Sequence, residues 1–125
     1  LTPGQKVALA TKGNKEARKI LIRDRNKAVA AAALQNPRIT EQEIVAAAQS
    51  KAISEEVVRL IAENPEYIAV YSIKLALVNN PKTPLGVAMR LLPFLRQPDI
   101  KNVSTSRGIP SALVNQAKRL LKQRR

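Results

Sequence analysis

Apolar residues recur along the chain at the three- and four-residue spacing of amphipathic α-helices, and no segment alternates with the two-residue period of a β-strand. The apolar runs are short, and most of them end at Gly, Pro or Asn before a helix-capping residue opens the next run. The pattern predicts nine helices. They lie at about residues 3–12, 15–23, 27–35, 41–49, 55–63, 66–78, 85–95, 99–107 and 111–125.

Polar residues mark the starts of most of these helices. A short side-chain oxygen at the N-cap accepts a hydrogen bond from an amide that the first turn leaves unpaired. Thr40 and Glu43 form the T-x-x-E pattern of a capping box. Thr83 with Pro84 is predicted to start the seventh helix, and Pro93 to kink or end it. The other predicted caps are Thr2, Asn14, Asn26 and Ser54.

Two predicted helices have faces that bear on function. In the second, Ala17, Ile20 and Leu21 are expected to face inward while the basic residues point to solvent. The sixth is the most hydrophobic and is predicted to be one central helix. Tyr67 and Tyr71 lie four residues apart on it and therefore share a face. Core packing with the hydroxyls at the rim is the preferred interpretation, and stacking on a nucleic-acid base is the alternative.

The chain also shows internal repetition. A shift of 56 positions pairs residues 43–58 with residues 99–114 in type and order, and a shift of 44 pairs Asn36 with Asn80, each followed by Pro. A unit of about 40 residues is in the range of armadillo and HEAT-like repeats. We therefore predict a single all-α domain, a right-handed α-solenoid-like stack of about nine short helices. Its approximate units are 1–35, 36–79 and 80–125.

Three strings carry a resemblance to known proteins: GNKEAR at 13–18, NPRIT at 36–40 and LALVNNPKTP at 75–84. Short helices punctuated in this way resemble the leucine-rich-repeat-variant and HEAT-like α-solenoids of bacteria, and an uncharacterised bacterial family of helical repeats. The resemblance covers most of the chain. Its motifs are structural, so it implies the fold and brings no catalytic or ligand-binding residue.

Charge is distributed unevenly along the chain. The 22 Lys and Arg residues against 9 Asp and Glu residues give a formal net charge of +13. Residues 1–35 carry +6, residues 36–73 carry −3 and residues 74–125 carry +10. A field of this kind attracts polyanions such as nucleic acid, anionic lipid surfaces or acidic proteins.

The candidate anion-binding residues form two groups, one towards each end of the chain. If nucleic acid is the partner, these side chains would neutralise its phosphate backbone, with strong salt dependence and little sequence preference. The first group is Lys12, Lys15, Arg18, Lys19, Arg23 and Arg25, and the second is Arg107, Lys118, Arg119, Lys122, Arg124 and Arg125.

The residue types narrow the chemistry. The chain has neither Cys nor His, which excludes disulfides, thiolate metal sites and nucleophilic triads, so we expect no zinc and no cofactor. The carboxylate pairs Glu41 with Glu43 and Glu55 with Glu56 are interpreted as charges that complement helix N-termini. We therefore predict that the chain is not an enzyme. A HEAT-like DNA-repair glycosylase, which would need aromatic surfaces and a carboxylate in a pocket, is the remote alternative.

These observations define the expected role. The opening LTPGQK has no secretory leader pattern, and the apolar passage at 67–78 is shorter than the roughly 20 residues that a membrane span needs. We expect a cytoplasmic protein, with a monomer favoured and the oligomeric state open. The predicted function is a non-catalytic binding or scaffold module that recognises an acidic partner, either a protein surface or a polyanion. Sequence-nonspecific binding of a DNA or RNA backbone is the alternative.

Overall fold

The computed structural model describes residues 1–124, and this part of the chain is all-α, with ten α-helices, one 3-10 helix and no strand. None of these helices combines the length and the apolar character that crossing a bilayer requires. The α-helices are α1 (Pro3–Lys12), α2 (Lys15–Leu21), α3 (Lys27–Leu34), α4 (Glu41–Gln49), α5 (Glu55–Glu63), α6 (Pro65–Ile68), α7 (Tyr71–Asn79), α8 (Leu85–Leu91), α9 (Gln97–Ser104) and α10 (Ser111–Gln123), and the 3-10 helix is Leu92–Phe94.

Side-chain caps start the first five helices, as the sequence predicts. Thr40 and Glu43 form a capping box at α4: the Thr40 hydroxyl accepts a hydrogen bond from the Glu43 amide at 3.2 Å, and the Glu43 carboxylate accepts one from the Thr40 amide at 2.7 Å. Thr2 makes the same arrangement with Gln5 at α1. The remaining caps are Asn14 at α2, Asn26 at α3 and Ser54 at α5.

The predicted sixth helix is two helices, which corrects both the number of helices and the placement of the tyrosines. The helix that starts at Pro65 ends at Ile68, and Val70 takes an extended conformation before α7 begins at Tyr71. Tyr67 and Tyr71 therefore do not share a helical face, although both pack partly buried against the core. The apolar run is hydrophobic on nearly every side, so its periodicity carries no signal that could locate a break.

The predicted inner face of the second helix is right for Leu21, which is buried, and for Ala17, which packs partly buried against the core, but it is wrong for Ile20. Ile20 is 68% exposed, whereas Arg18 is buried together with Leu21. The reason is tertiary, because Arg18 has a carboxylate partner, Glu43 of α4, across the helix interface. An arginine with such a partner can be buried at a position where a lone one would not be.

The start of α8 differs from the prediction, and its end agrees with it. Pro84 lies at the N-cap, and the Thr83 hydroxyl makes no cap: it is buried and has no hydrogen-bond partner among residues 1–124. At the other end, α8 stops at Leu91 and the 3-10 helix that contains Pro93 follows it directly. Proline lacks the amide that another helical turn would need.

One continuous core runs through the described chain from α1 to α10. The closest packing joins α1 with α3, α4 with α7, and α9 with α10, while α3 contacts α5 and α7 contacts α8. Small and medium side chains make up this core, which lets the short helices approach each other closely. The space between α2 and α4, described below, is a cleft lined by basic residues.

A buried asparagine secures α3 to α1. Asn36, which is 3% exposed, donates hydrogen bonds from Nδ2 to the main-chain oxygens of Ala10 and Thr11 at 2.8 and 2.9 Å. Its Oδ1 accepts a hydrogen bond from the Arg38 amide at 2.9 Å. The side chain thus satisfies carbonyls at the end of α1 that have no helical partner and holds its own turn in shape.

A second asparagine repeats this arrangement between α7 and α4. Asn80, which is 4% exposed, donates to the main-chain oxygens of Ala48 at 2.7 Å and Ser50 at 3.0 Å. Its Oδ1 accepts a hydrogen bond from the Lys82 amide at 2.9 Å. The Asn-Pro stops at 36 and 80 are therefore more than helix terminators, because each one fastens a loop to the C-terminus of an earlier helix.

Candidate anion-binding cleft

A cleft of about 250 Å³ lies between α2 and α4. Its walls combine aliphatic side chains with four basic residues of the first candidate group. The residues that line it are Lys15, Arg18, Lys19, Ile22, Arg23, Ile39, Gln42, Glu43, Ala46 and Ala47. We call this space the α2–α4 cleft.

Three of the basic residues form a row along the α2 edge of the cleft. Lys15 and Lys19 are four residues apart on α2, a spacing that places their side chains above one another on one side of the helix, and Arg23 lies in the turn that follows α2. All three side chains are exposed, and none of them forms an ion pair within residues 1–124. This edge of the cleft therefore presents uncompensated positive charge.

The fourth basic residue is part of a neutral pair in the wall. Arg18 donates from Nε to Glu43 Oε1 at 2.8 Å and from Nη2 to Glu43 Oε2 at 3.2 Å, and its Nη1 donates to the Gly13 main-chain oxygen at 3.2 Å. The two side chains are 7% and 9% exposed. Because each nitrogen of the guanidinium donates within the protein, Arg18 joins α2 to α4 rather than presenting its charge to a ligand.

The pKa of Glu43 reflects this setting. Burial alone would raise the pKa of the carboxyl, but the hydrogen bonds from Arg18 and from Thr40 together outweigh it and hold the pKa below the usual value of 4.5. Glu43 is therefore both the cap of α4 and the anion of the Arg18 pair. The pair with Arg18 requires the ionised form, whereas a neutral group at this position can still accept the Thr40 amide hydrogen bond.

The lowered pKa predicts how acid affects this interface. Because the folded-state pKa of Glu43 lies below its unfolded value, the unfolded chain binds more protons, and the stability that Glu43 contributes is lost as pH falls from about 4.5 through the folded-state pKa. We expect the difference in unfolding free energy between the wild type and Glu43→Gln to shrink over this range. Urea denaturation at a series of pH values measures it.

Taking the difference between the wild type and Glu43→Gln cancels the effect that other titrating carboxylates have on stability. Asp24 and Glu56 also have lowered pKa values, Asp24 chiefly through its hydrogen bond from Lys6 and Glu56 chiefly through its hydrogen bond from Lys27. The stability that Asp24 and Glu56 lose on acidification is the same in the wild type and in the Glu43→Gln variant. A difference that stays constant or grows as the pH falls would contradict the assignment.

A second basic cluster surrounds the 3-10 helix. Arg96 lies over the ring of Tyr71, 4.3 Å from its centroid, and Lys74 lies 5.8 Å from the ring centroid of Phe94, which is 66% exposed. The Tyr71 hydroxyl donates to Asp99 and accepts from the Arg96 amide. Burial, and after it the Asp99 contact, raises the pKa of Tyr71. We call Tyr71, Lys74, Phe94 and Arg96 the aromatic-basic cluster.

The structure brings part of the first candidate group together. Lys15, Arg18, Lys19 and Arg23 meet at the α2–α4 cleft, whereas Lys12 lies in the last turn of α1 and Arg25 lies in the turn before α3. Lys12 and Arg25 are exposed, and neither lines the cleft. The candidate group is thus one site with two outlying members.

The second candidate group follows α10 and the turn before it. Arg107 lies in the turn that follows α9, and Arg124, at the C-cap of α10, donates hydrogen bonds to the main-chain oxygens of Pro93 and Leu95. Arg125 lies outside the described residues. The three exposed members on α10 itself are Lys118, Arg119 and Lys122.

Few of the cations are neutralised by neighbours. The sequence has 22 lysines and arginines, and within residues 1–124 four of them form ion pairs. These pairs also occupy four of the nine carboxylates. They are Lys6 with Asp24, Arg18 with Glu43, Lys27 with Glu56, and Arg59 with Glu55.

Comparison with models of known protein families, with curated proteins and with solved structures found no match to this chain. Within the described residues, no group of three acidic side chains is placed to hold a metal ion. The functional inference therefore depends on the geometry of the basic surface and the cleft.

Proposed function

We propose that this chain is a non-catalytic binding module that recognises an acidic protein partner. The observation that carries the proposal is the row of unpaired cations, Lys15, Lys19 and Arg23, beside a cleft with aliphatic walls. Charge alone would attract any polyanion. Cations beside an apolar recess match a protein surface, which offers carboxylates and hydrocarbon side chains together.

The positions of the carboxylates support a non-catalytic role. Glu43 is held by Arg18 and Thr40, Glu55 contacts Arg59, and Asp99 accepts from Tyr71. General acid-base catalysis needs a carboxyl free to exchange a proton with a substrate in a pocket. These carboxylates are instead bound to groups of the protein itself.

As architecture for such a module, we propose the right-handed α-solenoid-like stack of repeats that the sequence predicts. Two observations support repetition. Between the first two units, α3 and α7 begin 44 residues apart and are followed by Asn36 and Asn80, whose side chains make equivalent contacts. Between the last two units, α9 and α10 begin 56 residues after α4 and α5. The three units would contain α1–α3, α4–α7 and α8–α10. A stack of this kind presents an extended surface suited to binding other chains. A cytoplasmic monomer is part of the same proposal.

A second candidate function is nonspecific binding of single-stranded nucleic acid, which the aromatic-basic cluster favours. Phe94 is exposed, and Lys74 and Arg96 lie close to the two rings. Single-stranded nucleic acids bind through bases stacked on such rings and phosphates paired with such cations. One exposed ring provides a single stacking position, so we rank this function second.

Fluorescence anisotropy with the whole chain separates the two functions. The probes are an acidic peptide that also contains leucine, single-stranded DNA and RNA, and duplex DNA, each over a range of salt concentrations. We expect the peptide to bind at low salt more tightly than nucleic acids of equal charge, with an affinity that falls as salt rises. Absence of peptide binding at low salt would overturn the proposal. Tighter binding of single strands, weakened by Phe94→Ser, would establish the second function instead.

A further inference from the structure

We infer that the α2–α4 cleft receives one aliphatic side chain of an acidic protein segment, while carboxylates on either side of that side chain pair with Lys15, Lys19 and Arg23. This inference rests on the proposed function and narrows it to one site and one kind of sequence. It adds an apolar anchor to what would otherwise be recognition by charge alone.

The lining of the cleft suits an aliphatic side chain, and the cleft is large enough to admit one. Its volume of about 250 Å³ is below the roughly 300 to 1,000 Å³ of sites for drug-sized ligands. Ile22 and Ile39 provide hydrocarbon walls, and the small side chains of Ala46 and Ala47 leave the space open on the α4 side. A leucine- or isoleucine-sized side chain fits into this space and leaves room beside it for a neighbouring part of the same segment.

The electrostatics of the cleft fit the same occupant. The carboxylate among the lining residues is that of Glu43, and its charge is neutralised by Arg18, so the unpaired charges of the lining are the three cations at its edge. At the edge of the cleft, Lys15 and Lys19 lie about one helical turn apart on α2, and Arg23 lies in the turn that follows the helix. Carboxylates that flank the anchor at a similar spacing would each have a partner.

The lining argues for a protein segment over a nucleic acid. No aromatic side chain is among the residues of the cleft, so a base that entered it would have no ring to stack on. The aliphatic group that a nucleic-acid base can offer is the methyl group of thymine, which is much smaller than a leucine side chain. Its phosphates could pair with the row of cations, but the cleft would then add nothing to the affinity.

Two peptides of equal charge test the anchor. Each has glutamates on both sides of one central residue, which is leucine in the first and serine in the second. We expect the leucine peptide to bind the wild-type chain about tenfold or more tightly than the serine peptide, because the anchor buries apolar surface. Fluorescence anisotropy at fixed ionic strength gives both dissociation constants.

A substitution that fills the cleft tests its location. Ala46 is exposed and lies along the cleft, so Ala46→Phe should place a ring in the space without disturbing the core. We expect this variant to lose the preference for leucine and to bind the serine peptide as the wild type does. The matched control is Ala8→Phe, at an exposed alanine on α1, which should keep the preference.

A charge reversal tests the row of cations. Lys19→Glu should weaken binding of both peptides several-fold more than Lys101→Glu, an equal change at an exposed lysine in the last turn of α9. Circular dichroism and urea denaturation confirm that all variants are folded. The comparison of Lys19→Glu with Lys101→Glu still tests the site if Ala46→Phe is unstable.

The outcomes distinguish the inference from the function it rests on. Equal affinity for the two peptides would overturn the anchor and leave acidic-partner recognition in place. A leucine preference that survives Ala46→Phe would show that the anchor does not enter the α2–α4 cleft, and equal effects of the two lysine reversals would show that the row of cations does not contact the peptide. Either result would overturn the inference. Failure of both peptides to bind at low salt would instead contradict the proposed function itself.

Discussion

Replacing Asn80 by alanine should lower the free energy of unfolding by about 3 kcal/mol, although the residue lies in a loop. Its side chain is 4% exposed and makes three hydrogen bonds, to the carbonyls of Ala48 and Ser50 and from the Lys82 amide. Alanine would leave these main-chain groups without that partner in a place that water reaches poorly. Each unpaired buried group costs about 1 to 3 kcal/mol, partly relieved by local rearrangement.

The neighbouring asparagine provides the control. Asn79 is exposed and donates to the Leu75 carbonyl within its own helix, so Asn79→Ala should change the unfolding free energy by about 0.5 kcal/mol or less. Urea denaturation followed by circular dichroism measures both variants. Similar effects of the two substitutions, or a loss below about 1 kcal/mol for Asn80→Ala, would show that the buried hydrogen bonds do not fasten α7 to α4.

Replacing Arg18 by methionine should destabilise the fold by about 3 kcal/mol, at the lower end of the range for breaking a buried ion pair. The Arg18 and Glu43 side chains are 7% and 9% exposed and share two hydrogen bonds. Methionine keeps much of the packing volume but leaves the Glu43 carboxylate without its cation. The Thr40 amide still donates to that carboxylate, which is why we expect the lower end of the range.

A double substitution separates the unpaired charge from the lost packing. In Arg18→Met with Glu43→Gln the remaining partner is neutral and can still accept the amide hydrogen bond of Thr40. We expect the double variant to recover a large part of the stability that Arg18→Met loses, again by urea denaturation. If the two single effects simply add, the buried pair is not the source of the loss.

Local signals in the sequence predicted much of the fold because helix starts depend on neighbouring residues. Thr2, Thr40 and Ser54 each bond an amide three residues further along the chain, so the sequence alone reveals them. The break between α6 and α7 had no such signal. It separates Ile68 from Tyr71 within a run that is apolar on nearly every side, where the choice of break depends on how the two pieces pack.

For the candidate site, only the presence of the basic residues could be predicted from the sequence. The spacing of Lys15 and Lys19 places both on one edge of a helix, whereas Arg23 was predicted to lie on the same helix and instead lies in the turn that follows it. The cleft beside them depends on which helix lies opposite α2, and the Arg18–Glu43 contact that joins α2 to α4 connects residues 25 positions apart. The aromatic-basic cluster was missed because Phe94 and Arg96 come to Tyr71 only through the 3-10 turn.

The asparagine contacts also bear on how the chain assembles. The contact of Asn36 with Ala10 spans 26 residues, and that of Asn80 with Ala48 spans 32. Closing a loop of this length costs only modestly more entropy than closing a much shorter one, and local contacts are associated with fast folding. The two ends of the chain need not meet before either contact forms. Folding can therefore advance through small closed loops, each of which prepares the surface on which the next helices pack.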